Sequence, residues 1–338
     1  MALWGELFLH ASEQEFQVSP MMRVKSVVPL SIHFASIYFT VLVLFPLLPS
    51  NTYGSGPASL VDAIAFSACH AGTWDIWILY PETGKVEKVG SGSNERHNPD
   101  ISPDHCSIAW SNNLGEIRVW KGGDTLRLGS LPGHCNFPAW SPDANKLVCA
   151  CFSFANGQED SDFWIVDPWR DTAYKFFEQA GIQKYPRYSP DGEKIYYSLA
   201  FIGQGGMIRE DIWSVSVDGR RKKRIITNGA CNIQPFPSPC GRWIVYASDV
   251  GGNMDVWKAR SDGSMQVRLT HDTALDVQPC WSPDGRHIVF VSTRSGRYDL
   301  WVMNNDGSDQ HILTGKMDAD SRDPFWGMVD QNIFLGHE

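Results

Sequence analysis

One phrase returns along this chain: a proline, then a Trp-Ser-Pro-Asp-Gly cluster, then an apolar run, an acid two residues before a Trp, and an Asp-Gly turn. Its fullest copy reads Gln278-Pro-Cys-Trp-Ser-Pro-Asp-Gly285, Ile288 to Val291, Tyr298-Asp-Leu-Trp301, Asn305-Asp-Gly-Ser308 and Ile312-Leu-Thr314. The leading prolines are Pro99, Pro138, Pro186, Pro235, Pro279 and Pro324, separated by 39, 48, 49, 44 and 45 residues. A unit of that length holds four short strands, the size of one propeller blade, and buries its apolar faces only by stacking on its neighbours.

Each part of the unit has a physical role. In Ser189-Pro-Asp-Gly192 and Ser282-Pro-Asp-Gly285 the proline presets φ near −65°, Asp bonds nearby backbone, and Gly supplies a positive φ, which makes a hairpin. Ser141-Pro-Asp143 keeps the turn with Ala144 in place of Gly, and Ser238-Pro-Cys-Gly241 replaces the Asp. The runs that follow, such as Trp243-Ile-Val-Tyr246, are short and rich in β-branched or aromatic residues and read as buried central strands. Asp75, Asp162, Asp211, Asp255 and Asp299, each two residues before a Trp, recur in nearly every copy, with Glu116-Ile-Arg118 the deviant. Groups present in every unit are read as scaffold, the ring packing between blades and the carboxylate satisfying local backbone donors.

These elements resemble the repeat of TolB-like β-propellers over residues 62 to about 330. The copy at Pro279 is the nearest match, the copy at Pro235 places Pro237 where Trp is usual, and the copy at Pro99 is degraded. The resemblance implies an all-β, six-bladed β-propeller of four-stranded blades that serves as a binding scaffold outside the cytoplasm. Asp62 to Val89 supplies three strands and Asp323-Pro-Phe-Trp326 a single leading strand, so the carboxyl-terminal strand is expected to complete the first blade and close the ring.

The repeats are preceded by Val27 to Leu48, 22 residues without a charge, behind Arg23 and Lys25. That length spans a bilayer as one hydrophobic helix, and the positive residues predict an inside amino terminus and a translocated propeller. The run is a signal anchor or a signal peptide; its length and the lack of an A-x-A site favour the anchor. The expected organisation is a leader over 1–26, with Met21 or Met22 as alternative starts, the hydrophobic segment over 27–48, a linker over 49–61 and the propeller over 62–338. Export places the propeller in the periplasm or another extracytoplasmic space, anchored or secreted. Eight cysteines without a C-x-x-C read as free thiols, with one or two disulfides open to an exported chain and their pairing undetermined.

A formal charge of −9 gives no basic excess to release counterions from phosphates, so no nucleic acid partner is expected. The one basic run, Arg220 to Arg224, follows an Asp-Gly turn and reads as a solvated hairpin tip. Membrane contact is expected through the amino-terminal segment only, and the propeller is expected to be monomeric.

The loops entering the inner strands and those joining the second and third strands should share one face. The candidate ligand-binding residues on that face are His97, Asn98, His134, Asn136, Gln183, Asn232, Gln234, Asp276, Gln278 and Arg322, a polar ring that either binds a ligand or caps strand ends. The stretch from the leading proline to the third-strand acid takes 20 residues from Pro235 or Pro279, but 24 from Pro138 to Asp162 and 25 from Pro186 to Asp211. The excess, in Ser153 to Ser161 and Phe201 to Glu210, lies on the same expected face. No G-x-S-x-G, P-loop or H-E-x-x-H occurs. No catalytic residue, metal ligand or cofactor is assigned, and the expected partner is a protein or an envelope polymer. The alternative is a polysaccharide-active enzyme of the oligogalacturonate lyase type, similar propellers that use a channel metal held by His and Gln, to which His97, His134, Gln183, Gln234 and Gln278 would correspond.

Overall fold

The computed structural model describes residues 59–90, 95–155, 158–202, 206 and 208–334. The leader, the hydrophobic segment over 27–48 and nearly all of the linker lie outside the described residues. Among the described residues no helix is long and apolar enough to cross a membrane.

The chain folds as an all-β propeller. Strands β1 (Leu60–His70), β2 (Thr73–Tyr80) and β3 (Lys85–Lys88) open the series. They are followed by β4 (Arg96–Ile101), β5 (Ser107–Asn112), β6 (Ile117–Lys121) and β7 (Asp124–Arg127), which form one four-stranded sheet. Then come β8 (Cys135–Trp140), β9 (Leu147–Ala155), β10 (Gln158–Asp167) and β11 (Thr172–Lys175), and β12 (Ile182–Tyr188), β13 (Lys194–Ile202), β14 (Ile208–Ser216) and β15 (Lys222–Ile226). These two runs join into one eight-stranded sheet through a single parallel pair, Ser161 with Ile182. Two more four-stranded sheets follow, β16 (Asn232–Pro237) to β17 (Trp243–Ser248), β18 (Asp255–Arg260) and β19 (Val267–Arg268), then β20 (Asp276–Trp281) to β21 (His287–Ser292), β22 (Asp299–Asn304) and β23 (His311–Ile312). The last strand, β24 (Asp320–Asp330), pairs antiparallel along β1 from Leu60 with Asp330 to Cys69 with Asp320, so the first sheet runs β24-β1-β2-β3. A short helix, α1 (Gln331–Phe334), follows and lays Phe334 on Trp120, ring centroids 4.5 Å apart.

The core is distributed between neighbouring sheets. One apolar cluster packs Ile76 and Ile78 against Ile108 and Trp110, another Val245 and Val256 against Ile288 and Phe290. A further cluster sets Val289 and Val291 of the last four-stranded sheet against Ile64 and Phe66 of the first. Full burial of one such aliphatic or aromatic side chain contributes roughly 1.5–3 kcal/mol. The inner-strand tryptophans add polar stitches: Trp140 Nε1 donates to the carbonyl of Asp100 at 3.1 Å, and Trp281 Nε1 to that of Phe236 at 3.2 Å.

The repeated third-strand acids are buried, except the half-buried Asp162, but they answer to basic side chains and not chiefly to backbone donors. Asp75 pairs with Lys88, Asp162 with Lys175 at 2.9 Å, Asp211 with Arg224, and Asp255 with Arg268 at 2.5 Å. In these four copies the base stands on the outer strand, 13 positions beyond the acid, whereas Asp299 pairs with Arg297 at 3.2 Å. A carboxylate removed from water needs such a partner, so the pair is a condition of burying that strand. The basic run over 220–224 is accordingly mostly outer strand: Lys222 to Arg224 lie in β15, and Lys222 also donates to the carbonyl of Glu178.

Cys135 and Cys151 face each other across β8 and β9 and form a disulfide, while Cys69, Cys106, Cys149, Cys231, Cys240 and Cys280 are free thiols.

Candidate functional site

All six inner strands carry the same irregularity at their third or fourth residue. The residue before each leading proline, namely Asn98, Phe137, Tyr185, Gln234, Gln278 and Asp323, has φ between 54° and 58°. The strand pairing slips at the same place, for example between His97 and Asp100 and between Val277 and Cys280. A non-glycine residue at positive φ inside a bulge re-aims its side chain. Here the re-aimed side chains converge on one cavity of only about 50 Å³, also lined by five of the leading prolines, Arg187 and Phe236. That space holds a water or two and no larger ligand.

Four members of the ring bond to one another. The Gln278 N–H donates to Gln234 Oε1 at 2.9 Å, the Asp323 N–H to Gln278 Oε1 at 2.9 Å, and the Asn98 N–H to Asp323 Oδ2 at 3.4 Å. Gln278 Nε2 also donates to Asp323 Oδ1, and Ser111 Oγ to Asn98 Oδ1 at 3.1 Å. The side chains of Gln234, Gln278 and Asp323 thus each satisfy the backbone donor that the next strand's bulge leaves free. Burial, with the charges of Glu210 and Asp323 nearby, pushes the Tyr185 phenol up, so it stays protonated in this ring.

Two positions before each ring residue the chain is buried. Gln183 takes a bond from its own N–H to Ser161 Oγ at 2.7 Å, and its Nε2 donates to the carbonyl of Gln179. Asn232 Nδ2 donates to Asn228 Oδ1 at 2.9 Å while its Oδ1 accepts from Ser248 Oγ at 2.8 Å. Asp276 is paired with Arg294 at 2.5 Å. These three predicted site residues are held inside strand ends.

The remaining predicted residues gather at one side. His97, Asn98, His134 and Asn136 line a cleft of about 620 Å³ together with Asn112, Phe152 and Phe154. This cleft joins entry-loop residues to residues of the β5–β6 connection and the β9–β10 hairpin, the two classes of loop expected to share a face. His97 lies against Trp74, ring centroids 5.2 Å apart, and the guanidinium of Arg322 stands over the same Trp74 ring at 5.2 Å and over Tyr298 at 3.7 Å. His97 also stands 4.0 Å from Asp323 and 3.9 Å from Glu95. The expected insertions are extensions of paired strands: β9 pairs with β10 out to Ala155 and Gln158, and β13 with β14 out to Ile202 and Ile208. They carry exposed apolar side chains, with Phe154 78%, Ile202 75% and Ile208 61% accessible.

The chemistry of the cleft is that of a binding surface: amide and imidazole groups for hydrogen bonds beside open aromatic faces. Among the described residues no group of three or more His, Cys, Asp or Glu side chains is arranged to hold a metal ion. A His-and-Gln metal set is not assembled either, since Gln183 is inside a strand end and Gln234 and Gln278 are bonded within the ring. The residues therefore do not fit a channel metal.

Fold and site define a β-propeller with an obstructed channel and a polar, aromatic cleft on its loop face. Residues 117–330 match the TolB beta propeller domain model, and the chain belongs to that family. An uncharacterized protein of Agrobacterium fabrum is 35% identical over 172 residues, covering 48% of this chain and 55% of that protein. Of solved structures, TolB from Acinetobacter baumannii matches with a TM-score of 0.65 at 22% identity, over 78% of this chain and 66% of that one. An oligogalacturonate lyase in complex with manganese matches with a TM-score of 0.54 at 15% identity, over 73% and 72%. Both structural likenesses speak to the fold, and the chain spans about half the length of the Agrobacterium relative.

Proposed function

We propose that this chain is an exported, non-enzymatic binding scaffold, a monomeric six-bladed ring in which the eight-stranded sheet counts as two blades and β24 closes the circle on β1. Its binding surface is the loop-face cleft, and its ligand is a protein segment or an envelope polymer. The observation that carries this is the cleft itself: four of the residues singled out from sequence line it with Phe152 and the open ring of Phe154. Exposed apolar groups beside hydrogen-bonding side chains are the usual make-up of a recognition patch. Export through the segment over 27–48, as anchor or cleaved signal, is supported by the charge pattern before it and by the Cys135–Cys151 disulfide, a bond that persists in oxidising compartments.

The test is retention of envelope components by the natural chain and by the double variant Asn136→Ala, Phe154→Ser. The natural chain should retain a defined protein or polymer that the folded double variant retains at least tenfold less; equal retention by both removes the cleft from the argument. The likeness to the lyase gives a second reading its own check. Stoichiometric divalent metal in the purified chain, lost on His97→Ala or His134→Ala, would replace the scaffold with a metal-dependent enzyme.

A further inference from the structure

Immediately below the ring, one residue past each leading proline, the inner strands present Asp100, Ala139, Arg187, Phe236, Cys280 and Phe325. This layer contains the only charged pair among those six positions. Arg187 Nη1 lies 3.1 Å from Asp100 Oδ2, and the small side chain of Ala139, on the strand between them, leaves room for the reach. The guanidinium is held beside Phe236 and Phe325, 4.9 and 5.3 Å from their centroids. Asp100 is 2% accessible and its Oδ2 already accepts the Trp140 N–H at 2.8 Å. Asp100 Oδ1 has no hydrogen-bond partner, and the Arg187 guanidinium donates to no group besides Asp100. A buried acceptor such as Asp100 Oδ1 is costly to leave unpaired unless something completes it.

Beyond this layer the channel widens toward the Ser-Pro-Asp-Gly turns, away from the loop face. It becomes a funnel of about 370 Å³ whose walls include Trp140, Tyr188, Trp281 and Trp326 and whose rim carries turn prolines such as Pro190 and Pro283. Arg187 lines both this funnel and the small cavity above it, so it forms the floor. The turn aspartates are not part of the lining; Asp191 and Asp284 are bonded to Ser189 and Ser282 of their own turns. A volume of this size lined by aromatic rings, with the Arg187 guanidinium at its base beside the Asp100 carboxyl, is complementary to a small amphipathic anion when that carboxyl is protonated.

We infer that the funnel is a second binding site, on the face opposite the cleft, for a small monocarboxylate with an aromatic or branched aliphatic body, whose carboxylate sits on Arg187. The body fills the aromatic walls, and the carboxylate takes the guanidinium donors that Asp100 leaves unspent. Burial pushes the Asp100 carboxyl up to about 7, against the lowering effects of Arg187 and the Trp140 N–H. The other titratable groups facing it are the thiols of Cys149 and Cys280, both pushed up by burial and neutral, with His105 at the rim bonded to the carbonyl of Met328. An incoming carboxylate places negative charge beside Asp100 and so favours its protonated form. Affinity should therefore rise as pH falls through about 7, by about tenfold between pH 8 and pH 6.

The probe is 3-phenylpropionate, compared with its neutral amide and with inorganic phosphate, on the full-length chain in nanodiscs and read by tryptophan fluorescence and calorimetry. The acid should bind saturably, at least tenfold tighter than the amide, with no binding of phosphate. Arg187→Gln should lose at least tenfold for the acid and nothing for the amide. Asp100→Asn should keep the acid and flatten its pH profile, which separates Asp100 from His105. Should Arg187→Gln not fold, the acid-to-amide ratio and the Asp100→Asn profile decide alone. Equal binding of acid and amide, no saturable binding of either, or an unchanged pH slope in Asp100→Asn would overturn the site.

Discussion

The two ends of the inner strands are built by opposite rules. At the turn end the same side chains recur: Ser282 Oγ donates to Asp284 Oδ1 at 2.6 Å and accepts the His287 N–H at 2.9 Å, and the turn at Ser141 repeats this with Asp143 and Lys146. At the loop end only the backbone recurs. Six residues of four side-chain types besides Gln, with φ near 55°, precede a proline in each case. A repeat that fixes side chains produces a uniform rim, whereas one that fixes only backbone leaves the side chains free to differ from copy to copy. Copy-specific groups such as His97, Asn136 and Phe154 can then stand on an invariant frame, which is why the cleft lies at the loop end.

The sharpest way to break this contrast is through glycine. Gly115, at the loop end, has φ +71°, and a Cβ there would lie 2.3 Å from His134 Cα and 2.7 Å from its nitrogen. Gly285, at the turn end, has φ +69°, but its Cβ would meet only Pro239 Cδ at 3.7 Å. Ala144, with φ 57°, already occupies the matching turn position in another copy. Gly115→Ala should cost about 3 kcal/mol or more, because backbone must move, and Gly285→Ala only about 1 kcal/mol, the price of the left-handed conformation. Urea midpoints of the two variants measure this; equal losses would show that the segment carrying His134 yields easily and that the loop end is not a rigid frame.

Much of this was legible. The Pro-led spacing and the turn chemistry point to the strands, and the unpaired leading strand at Asp323 points to the observed pairing of β24 with β1. The acid and base 13 positions apart, as in Asp211 and Arg224, were equally open to reading from sequence, and would have shown that the third-strand acids have partners on the outer strand. The positive-φ ring was not legible. Asn, Phe, Tyr, Gln and Asp share no chemistry, and a residue before proline is ordinarily expected to be extended. Polarity also misled at Gln183, Asn232 and Asp276, since a strand end can bury an amide or a carboxylate when serines, carbonyls or an arginine meet it. The disulfide needed the register of β8 on β9, which no spacing of eight cysteines supplies.

A smaller effect sharpens the comparison of side-chain roles. Gln278→Ala removes its bonds to Asp323 in both directions and leaves two polar groups of a confined ring without partners, so it should cost about 2 kcal/mol. Ser282→Ala removes one turn hydroxyl whose neighbours are nearer solvent, and should cost about 1 kcal/mol. Thermal unfolding of both variants checks the order. The reverse order would mean that the turn rim, not the ring, holds the inner strands in place.

The smallest effect concerns the Ser-Pro turn that lacks the aspartate. In Ser238-Pro-Cys-Gly241 the thiol of Cys240 stands where the other turns carry a carboxylate, 3.3 Å from Ser238 Oγ. Donation from that hydroxyl and from the Arg242 N–H lowers the thiol to about 7 from a usual 9.0. The turn therefore favours the thiolate. A folded value below the unfolded one stabilises the fold above about pH 9, and that contribution is lost as pH falls through about 7. Cys240 is exposed, which screens the effect, so Cys240→Asp should change stability at neutral pH by no more than about 0.5 kcal/mol while removing the gain between pH 7 and 9. The thiolate should also react first: iodoacetamide at pH 7.5 should label Cys240 ahead of Cys106 and Cys231, whose thiols burial pushes up. Faster labelling of either of those two would mean that the repeated turn does not impose its preference for an anion on whatever residue it holds.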